Sequence, residues 1–380
     1  MTDLTVTAIV PAAGLSSRMK EFKPLIKIGG QTLIERVVRL FQAAGVAEVV
    51  VVVGHRSDEI ISVLEGTIAR VVTNPDYRAE MLTSVQVGAR VLQGRSDAFF
   101  VLPVDIPCIR SMTIRHLMER FSDRKALLCH PLFELRRGHP PLIDSSLIEK
   151  LLAWHGEAGL KGFLDEYGDR SLDVPVADAW IRRDVDTDEE LAALRRDFER
   201  YTIPSSEECS VMLEHYLAVP EAIKAHSRAV AKAAMRIGEV LNAAGKHLNL
   251  SLIHASALLH DICKGEKNHA DKGAAWLERN GFPEVASIVA EHTDILWKEE
   301  RKAGDAVDEM ALVYLADKIL GGERLLTLAE RKEAALVKYG QEEAVRQNIT
   351  ARFNRAEKIQ SAVEKITGRT LDSILRNYKT

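Results

Sequence analysis

The first half of the chain alternates short runs of β-branched residues with amphipathic stretches. Apolar runs bounded by Gly, Pro or Asp predict buried β-strands at residues 5–10, 48–53 and 98–104. Elsewhere in this half, apolar residues recur every three to four positions and predict helices over residues 32–44, 58–64, 82–93 and 113–121. The alternation predicts an α/β domain with a doubly wound, Rossmann-like parallel sheet, whose ligands bind beyond the carboxyl ends of the strands.

The second half of the chain has no run that is typical of a strand. A polar stretch at residues 201–218 separates it from the first half, and we interpret this stretch as a linker. Apolar residues at helical spacing then predict helices over residues 221–241, 250–259, 270–280, 283–291, 309–319 and 323–338. Residues 342–378 have a similar pattern, in which no chemistry is visible. We therefore predict an α/β domain at residues 1–200, an all-α domain at 219–335 and a C-terminal helical extension at 336–380.

Composition narrows the class of protein. The 380 residues are 46% apolar and 28% charged, which is typical of globular domains, and the length favours two of them. Lys and Arg number 51 against 55 Asp and Glu, without a basic block, so we expect small-molecule partners and no nucleic acid. Four cysteines without CxxC spacing indicate a reducing, cytoplasmic setting. The first apolar run is too short for a signal peptide or a membrane span.

A loop with the chemistry of a phosphate site follows the first predicted strand. The string PAAGLSSRMKEFKPL contains Gly and Ser, so its backbone N–H groups can approach phosphate oxygens, and Arg18 and Lys23 add positive charge. The alternative is a flexible surface loop with two unpaired cations. Asp105 follows the third strand and Asp186 lies in a second acidic turn. Their carboxylates suit Mg²⁺, although Asp105 is equally compatible with a turn or cap role.

This loop closely resembles the opening of the nucleotidyltransferase family that includes molybdenum cofactor cytidylyltransferase and guanylyltransferase. The family signature, L-A-A/G-G-x-S-x-R-M-G-x-x-K, is matched in register by Ala12, Ala13, Gly14, Ser16, Arg18, Met19 and Lys23. Further landmarks follow in order, namely NPDY at residues 74–77, Ser84, LPVDIP around Asp105, GHPPLI from residue 138, GLKGFL from 159 and DVDT from 184. The resemblance covers residues 5–195, with Lys20 and Glu80 in places where the family usually has Gly.

The resemblance implies Mg²⁺-dependent transfer of a nucleotidyl group from a nucleoside triphosphate to an acceptor phosphate, with release of pyrophosphate. It implies that Asp105 and Asp186 hold the Mg²⁺ ion and that Arg18, Lys23 and Asp105 are catalytic. The implied nucleotide-binding residues are Ala12, Ala13, Gly14, Ser16, Arg18, Lys23 and Ser84. The PAAG and GHPPLI strings look more like the cytidylyl branch, so CTP is the expected donor and a molybdopterin-like compound the expected acceptor. A molybdoenzyme or its chaperone would then be a protein partner.

Histidines and aspartates of the helical half form a second candidate site. In chain order they are His226, His260, Asp261, His269, His292 and Asp317. Imidazole and carboxylate groups that project from helices can hold Mn²⁺, Fe²⁺, Zn²⁺ or Mg²⁺ in the core of a bundle. For each histidine taken alone, the alternative is a core-packed or exposed side chain.

The order of these residues resembles that of the HD-domain metal-dependent phosphohydrolases over residues 215–335. The resemblance is carried by the strings HSRAV, ALLHDICKG, NHADKGA, AEHTD and YLADK. It implies a first metal held by His226, His260, Asp261 and Asp317. His269 and His292 match positions that complete a second metal in many members, and one metal or two is left open. Lys264 would bind substrate phosphate, so Asp261 and Lys264 are the implied catalytic residues for phosphoester hydrolysis.

Together the two halves predict a bifunctional cytoplasmic enzyme, a cytidylyltransferase followed by an HD phosphohydrolase whose substrate no residue identifies. A second hypothesis makes the acceptor a sugar or alcohol phosphate, because related transferases reuse one loop for many acceptors. A third is a nucleotide-sensing regulatory protein without turnover. The intact Lys23, Asp105, His260 and Asp261 argue against this third hypothesis.

Overall fold

A computed structural model describes residues 4–16, 18–122, 126–294 and 307–376 of the chain. The chain divides into two compact units, Met1–Glu199 and Arg200–Thr380. Ser17 of the first loop and the last two residues of the predicted helical stretch 342–378 lie outside the described residues. Among the described helices, none combines the length and the apolar character that crossing a bilayer requires.

The first unit is built on a mixed β-sheet. Its strands are β1 (Val6–Pro11), β2 (Lys27–Ile28), β3 (Gln31–Thr32), β4 (Glu48–Val53), β5 (Ala69–Thr73), β6 (Ala98–Val101), β7 (Leu128–Phe133), β8 (Arg136–Arg137), β9 (Leu142–Asp144) and β10 (Ser171–Pro175). The main sheet has the order β10-β7-β9-β6-β1-β4-β5, with β8 paired to β7, while β2 and β3 form a separate ribbon. Strands β6, β1, β4 and β5 are parallel, so their carboxyl ends share one edge. The predicted α/β fold is confirmed, with β9 inserted antiparallel between β6 and β7.

Helices cover both faces of this sheet. They are α1 (Leu33–Ala44), α2 (Ser57–Leu64), α3 (Met81–Leu92), α4 (Ser111–Phe121), α5 (Ile148–Leu152), α6 (Gly159–Asp165) and α7 (Asp188–Phe198). Side chains alternate between the two faces of a strand. Ile9 and Phe99 therefore pack in the cluster that contains α3, whereas Phe100 packs on Phe41 of α1. Gly88 lets α3 lie close to β1, since a Cβ atom there would be 2.6 Å from Ile9 Cγ2.

The described residues of the second unit form helices and one small hairpin. Its helices are α8 (Ser206–Val211), α9 (Glu221–Ala243), α10 (Leu250–Leu259), α11 (His269–Arg279), α12 (Pro283–Glu291), α13 (Glu309–Lys318), α14 (Leu328–Tyr339), α15 (Glu343–Thr367) and α16 (Leu371–Ile374). Strands β11 (Leu320–Gly321) and β12 (Arg324–Leu325) form the hairpin, so the helix predicted from residue 323 begins at Leu328 instead. The segment 201–218, predicted to be a linker, carries α8 and a π-helical turn at Met212–Tyr216.

The long helix α9 lies at the centre of this unit. Its buried face carries Val230, Ala234, Ile237 and Leu241 at helical spacing. Helices α10, α13 and α15 pack against α9. Because α15 belongs to the segment 336–380, that segment shares the core of the helices before it.

Candidate active sites

The first candidate site is a cleft of about 380 Å³ at the carboxyl ends of β1 and β6. The loop after β1, the start of α3 and the loop after β6 border it. The predicted nucleotide-binding residues lie on its wall, namely Ala12, Ala13, Gly14, Ser16, Arg18, Lys23 and Ser84. Asp105 also lines the cleft, and Asp186 reaches it through a hydrogen bond from Lys23. The topology thus gathers residues from four distant parts of the chain at one edge of the sheet.

Lys23 connects the two predicted magnesium-binding carboxylates. Its Nζ atom donates a hydrogen bond to Asp186 Oδ1 at 2.6 Å and lies 3.5 Å from Asp105 Oδ2. The Arg18 guanidinium adds a contact of 3.4 Å to Asp186 Oδ2. The main chain also joins the two acidic turns, because the Val185 N–H donates to the Asp105 carbonyl at 3.0 Å.

The two carboxylates have different ionisation behaviour. Burial raises the pKa of Asp105, although Lys23 lowers it in part. The hydrogen bond from Lys23 holds the pKa of the more exposed Asp186 below its usual value. One ammonium group thus serves two carboxylates, and a divalent cation would supply the charge that Asp105 lacks. Since hard oxygen donors are the ligands that Mg²⁺ prefers, these residues fit a magnesium ion.

The loop after β1 leaves its backbone accessible from the cleft. A Cβ atom on Gly14 would meet no atom within 4 Å, so open space adjoins the loop at this position and a phosphate can approach the backbone closely. Ser16 has a left-handed backbone with a φ of 53°, which costs a non-glycine residue about 1 kcal/mol. Its Oγ atom accepts a hydrogen bond from the Lys23 N–H at 3.1 Å, which helps to offset this cost and fixes Lys23 relative to the loop.

Two residues without a predicted role support the cleft. The buried Asn74 amide donates to the hydroxyl oxygens of Ser84 and Thr83, each at 3.0 Å, and so fixes the Ser84 side chain. Tyr77 lines the cleft and packs so closely on Gly54 that a Cβ atom there would clash with it. Both residues belong to the NPDY string, one of the landmarks of the family resemblance. Their contacts with Ser84 and Gly54 become visible only in the structure.

Six side chains converge in the core of the second unit. They come from α9, α11, α13 and the ends of α10 and α12, and are His226, His260, Asp261, His269, His292 and Asp317. Their ligand atoms form two groups, each within 4.8 Å: His226, His260 and Asp317 in one, and Asp261, His269 and His292 in the other. Asp261 bridges the groups, because its Oδ2 atom lies 3.3 Å from His260 Nε2 and its Oδ1 atom 3.3 Å from His269 Nε2. The arrangement offers positions for two neighbouring metal ions.

Hydrogen bonds to the main chain orient three of the imidazole rings. The Nδ1 atoms of His226, His260 and His292 lie 2.8, 2.8 and 2.6 Å from carbonyl oxygens. Carbonyl oxygens only accept, so each Nδ1 carries the proton and a neutral ring keeps its lone pair on Nε2. These Nε2 atoms face carboxylate oxygens, for example at 3.1 Å between His226 and Asp317. Lone pairs opposed in this way require a proton or a metal ion between them, which is the usual geometry of a ligating histidine.

The charges of this cluster also suit a metal. Burial opposes a proton on His260, but Asp261 and Asp317 outweigh it and raise the pKa of His260 to about 10. The pKa values of both aspartates lie well below their usual range. For Asp261 the charge of His260, for Asp317 that of Lys318, and for both the hydrogen bonds from neighbouring histidines overcome the effect of burial. Among the described residues, His260 Nε2 is buried without a hydrogen-bond partner. A divalent ion would replace the proton and satisfy this atom, so these residues fit Mn²⁺, Fe²⁺, Zn²⁺ or Mg²⁺.

Two lysines accompany the cluster. Lys264 Nζ, predicted to bind substrate phosphate, lies 2.9 Å from Asp261 Oδ2. Lys318 Nζ lies 2.7 Å from Asp317 Oδ2 and was not predicted, although it follows Asp317 directly in the chain. Each metal-site aspartate therefore has an ammonium group beside it that could turn toward a bound phosphate.

The first unit has a cation-lined cleft at the edge of an α/β sheet, and the second has a histidine–aspartate cluster among helices. Both arrangements suit reactions of phosphate groups. Residues 8–171 match the MobA-like NTP transferase domain, and residues 223–322 match the HD domain. The chain therefore carries a nucleotidyltransferase domain and an HD phosphohydrolase domain.

Relatives of the chain differ in how much of their length it spans. The bifunctional IPC transferase and DIPP synthase of Rubrobacter xylanophilus is 44% identical over 130 residues, which are 33% of this chain and 27% of that protein. The 2-C-methyl-D-erythritol 4-phosphate cytidylyltransferase of Photobacterium profundum is 30% identical over 35% of this chain and 59% of its own length. The molybdenum cofactor cytidylyltransferase of Escherichia coli is 25% identical over 52% of this chain and 97% of its own length. The chain thus spans about a quarter of the Rubrobacter protein.

Proposed function

We propose that the first unit transfers a cytidylyl group from CTP to a phosphorylated acceptor and that the second unit hydrolyses a phosphoester. The observation that carries the first part is the meeting of Lys23, Asp105 and Asp186 beside the open loop at Gly14. Similarity to a cytidylyltransferase over 97% of its length supports CTP as the donor. The orientation of the imidazole rings supports a metal-dependent second activity.

The proposed transfer proceeds by in-line displacement. An acceptor phosphate oxygen bonds to the α-phosphorus of CTP, and the bond to the bridging oxygen of pyrophosphate breaks, so negative charge grows on the leaving group. Lys23 and Arg18 would bind the β- and γ-phosphates and stabilise this charge. Asp105 and Asp186 would hold Mg²⁺, which when bound neutralises phosphate charge. Because Lys23 contacts both carboxylates, its ammonium group would exchange a carboxylate for a phosphate when nucleotide binds.

Two classes of phosphorylated compound are candidates for the acceptor. A molybdopterin-like acceptor agrees with the relative of which this chain spans nearly the full length. A sugar or alcohol phosphate is the second candidate, favoured by the 30% identity to an enzyme named for 2-C-methyl-D-erythritol 4-phosphate. Both acceptors present a phosphate oxygen as the nucleophile, so the same cleft serves either.

In the second unit, the chain would hold the ion and neutralise the substrate. The main-chain bonds of His226, His260 and His292 fix the rings that would bind the metal. A divalent ion bound there would lower the pKa of a coordinated water and polarise the phosphoryl group. Lys264 and Lys318 would turn from their aspartates to the phosphate oxygens, as charge-assisted hydrogen bonds favour.

The test is a panel of acceptors. The full chain is incubated with CTP, Mg²⁺ and either molybdopterin, 2-C-methyl-D-erythritol 4-phosphate or a sugar phosphate, and pyrophosphate release is followed. We expect release with one class of acceptor, lost in Asp105→Asn while phosphoester hydrolysis persists, and the reverse pattern in Asp261→Asn. Binding of CTP without product across the panel would contradict transfer and support nucleotide sensing. Loss of both activities in either variant would contradict independent sites.

A further inference from the structure

A cavity of about 480 Å³ adjoins the histidine–aspartate cluster. His269, His292 and Asp317 lie at its inner end. The opposite wall comes from α14 and α15, which begin at Leu328 and Glu343, beyond the HD match that ends at residue 322. The volume lies in the range of roughly 300–1,000 Å³ that small-molecule sites occupy. The metal cluster therefore opens into a ligand-sized space that is walled in part by helices beyond the HD match.

The lining of this cavity is strongly cationic. Five ammonium or guanidinium groups line it against one carboxylate, that of Asp317. The cations are Lys264, Lys318, Arg331, Lys338 and Arg352. Three of these cations lie beside carboxylates, so Arg331 and Lys338 carry the unbalanced charge. A phosphate monoester carries about two negative charges near neutral pH, which these two groups can balance.

Arg331 is the cation that a ligand would satisfy best. Lys264 and Lys318 already contact Asp261 and Asp317, and Arg352 lies 3.8 Å from Asp294 Oδ2. Within the described part of the chain, Arg331 forms no ion pair, and its Nε atom is buried without a hydrogen-bond partner. A buried donor without an acceptor is costly, and a phosphate oxygen would remove that cost.

The face of α14 provides room for a second phosphate. Arg331, Ala334, Ala335 and Lys338 recur at helical spacing and all line the cavity. Arg331 and Lys338 are seven residues apart, which is roughly 10 Å along a helix, and the small alanines leave space between them. Tyr339, which is 58% exposed, lies at the end of this row and offers an aromatic surface for a ring to stack on.

We propose that the substrate of the second unit is a small molecule with two linked phosphates, such as a nucleoside diphosphate or a diphosphate ester. One phosphate binds at the metal cluster beside Lys264, and Arg331 and Lys338 bind the other. In the reaction, water oxygen bonds to the phosphorus at the cluster and the bond to the bridging oxygen breaks. The leaving oxygen takes one proton of the water, and the other passes to solvent. This inference rests on the hydrolase function proposed above and adds the residues that select the substrate.

Binding tests the inference separately from turnover. Calorimetry on the full chain in a Lys23→Met background, which weakens the first site, compares CDP, CMP and inorganic phosphate as ligands. We expect Arg331→Ala to weaken CDP binding about tenfold, as loss of a charge-assisted hydrogen bond predicts, and to change phosphate binding less than twofold. Lys332→Ala is the matched control, because this neighbouring cation of α14 contacts Asn354 and is not among the lining residues. Equal affinity of Arg331→Ala and the parent chain for CDP would overturn the inference.

Kinetic measurements with Mn²⁺ distinguish a failure of the hydrolase function from a failure of the proposed substrate class. We expect Arg331→Ala to raise KM for CDP about tenfold with kcat within twofold, and Arg331→Lys to restore part of the loss. Lys338→Ala provides a second variant should Arg331→Ala fold poorly, and manganese content checks that the cluster is intact. If the parent chain hydrolyses neither p-nitrophenyl phosphate nor CDP, the proposed hydrolase function is wrong. Hydrolysis of CDP and CMP with equal kcat/KM, unchanged in Arg331→Ala, would overturn only the substrate class.

Discussion

Replacing Lys23 with Met removes one positive charge from the first cleft and keeps most of the side-chain volume. The Lys23 side chain is 15% exposed, and its Nζ atom lies within 3.5 Å of carboxylate oxygens of both Asp105 and Asp186. Because solvent has little access to this position, water compensates poorly for the loss of the ammonium charge. Two opposite effects follow, because the substitution removes a phosphate-binding cation and also frees two carboxylates for Mg²⁺.

The two effects have different sizes and different readouts. Removal of one preorganised group that stabilises developing charge costs about 10²–10³ in kcat, or roughly 3–4 kcal/mol. An ammonium group at 2.6 Å from a carboxylate competes directly with a metal for that oxygen. We expect its loss to lower the Mg²⁺ concentration needed for half-maximal rate about tenfold, which corresponds to about 1.4 kcal/mol.

The assay is the initial rate of pyrophosphate release from CTP with a saturating acceptor, measured across a Mg²⁺ titration. Lys20→Met is the matched control, because Lys20 belongs to the same loop, is 90% exposed and lies 3.8 Å from Asp188 Oδ2. Exposed ion pairs of this kind contribute about 0–1 kcal/mol, so the control rate should stay within twofold of the parent. A Lys23→Met rate above a tenth of the parent rate, with an unchanged Mg²⁺ requirement, would refute a catalytic role for Lys23.

Three further predictions concern stability. Asp178→Ala removes a carboxylate that lies 3.3 Å from the buried Arg110 guanidinium. In a urea titration it should lower the free energy of unfolding of the first unit by about 3–5 kcal/mol, and a loss below about 1 kcal/mol would contradict this. Gly88→Ala places a Cβ atom 2.6 Å from Ile9 Cγ2 and should cost about 1–3 kcal/mol in the same titration, so an unchanged midpoint would show that α3 can shift freely. EDTA should lower the melting temperature of the second unit, since an ion at a hundred times its Kd contributes about 2.7 kcal/mol, and identical curves with and without Mn²⁺ would speak against a metal in the cluster.

Strong patterns predicted the fold, and short elements escaped prediction. Glu48–Val53 is recognisable because a strand buried on both faces is apolar throughout. Leu142–Asp144 has only three residues, too few to show a period, and its antiparallel pairing depends on both neighbouring strands. The hairpin of Leu320–Gly321 and Arg324–Leu325 has the same limitation, and its second strand fell within the helix predicted from residue 323.

The residue types of both sites are visible in the sequence, but their relations are not. Nothing in the chain spacing indicates that Lys23 bridges Asp105 and Asp186, since the sheet topology brings them together. In the sequence, Arg331 belongs to the polar face of a helix and shows no sign of a ligand site. The packing of α14 beside α15 places this face at the cavity next to the metal cluster. Long-range packing supplies this information, and periodicity reports only local structure.

Crystals of the full chain grown with CTP and Mn²⁺, measured at the manganese absorption edge, would locate the divalent cations directly. We predict one anomalous peak between Asp105 and Asp186 and at least one within the cluster that contains His260 and Asp317. Manganese bound elsewhere in the crystal, with neither of these positions occupied, would contradict the assignment of divalent-cation sites to the two units.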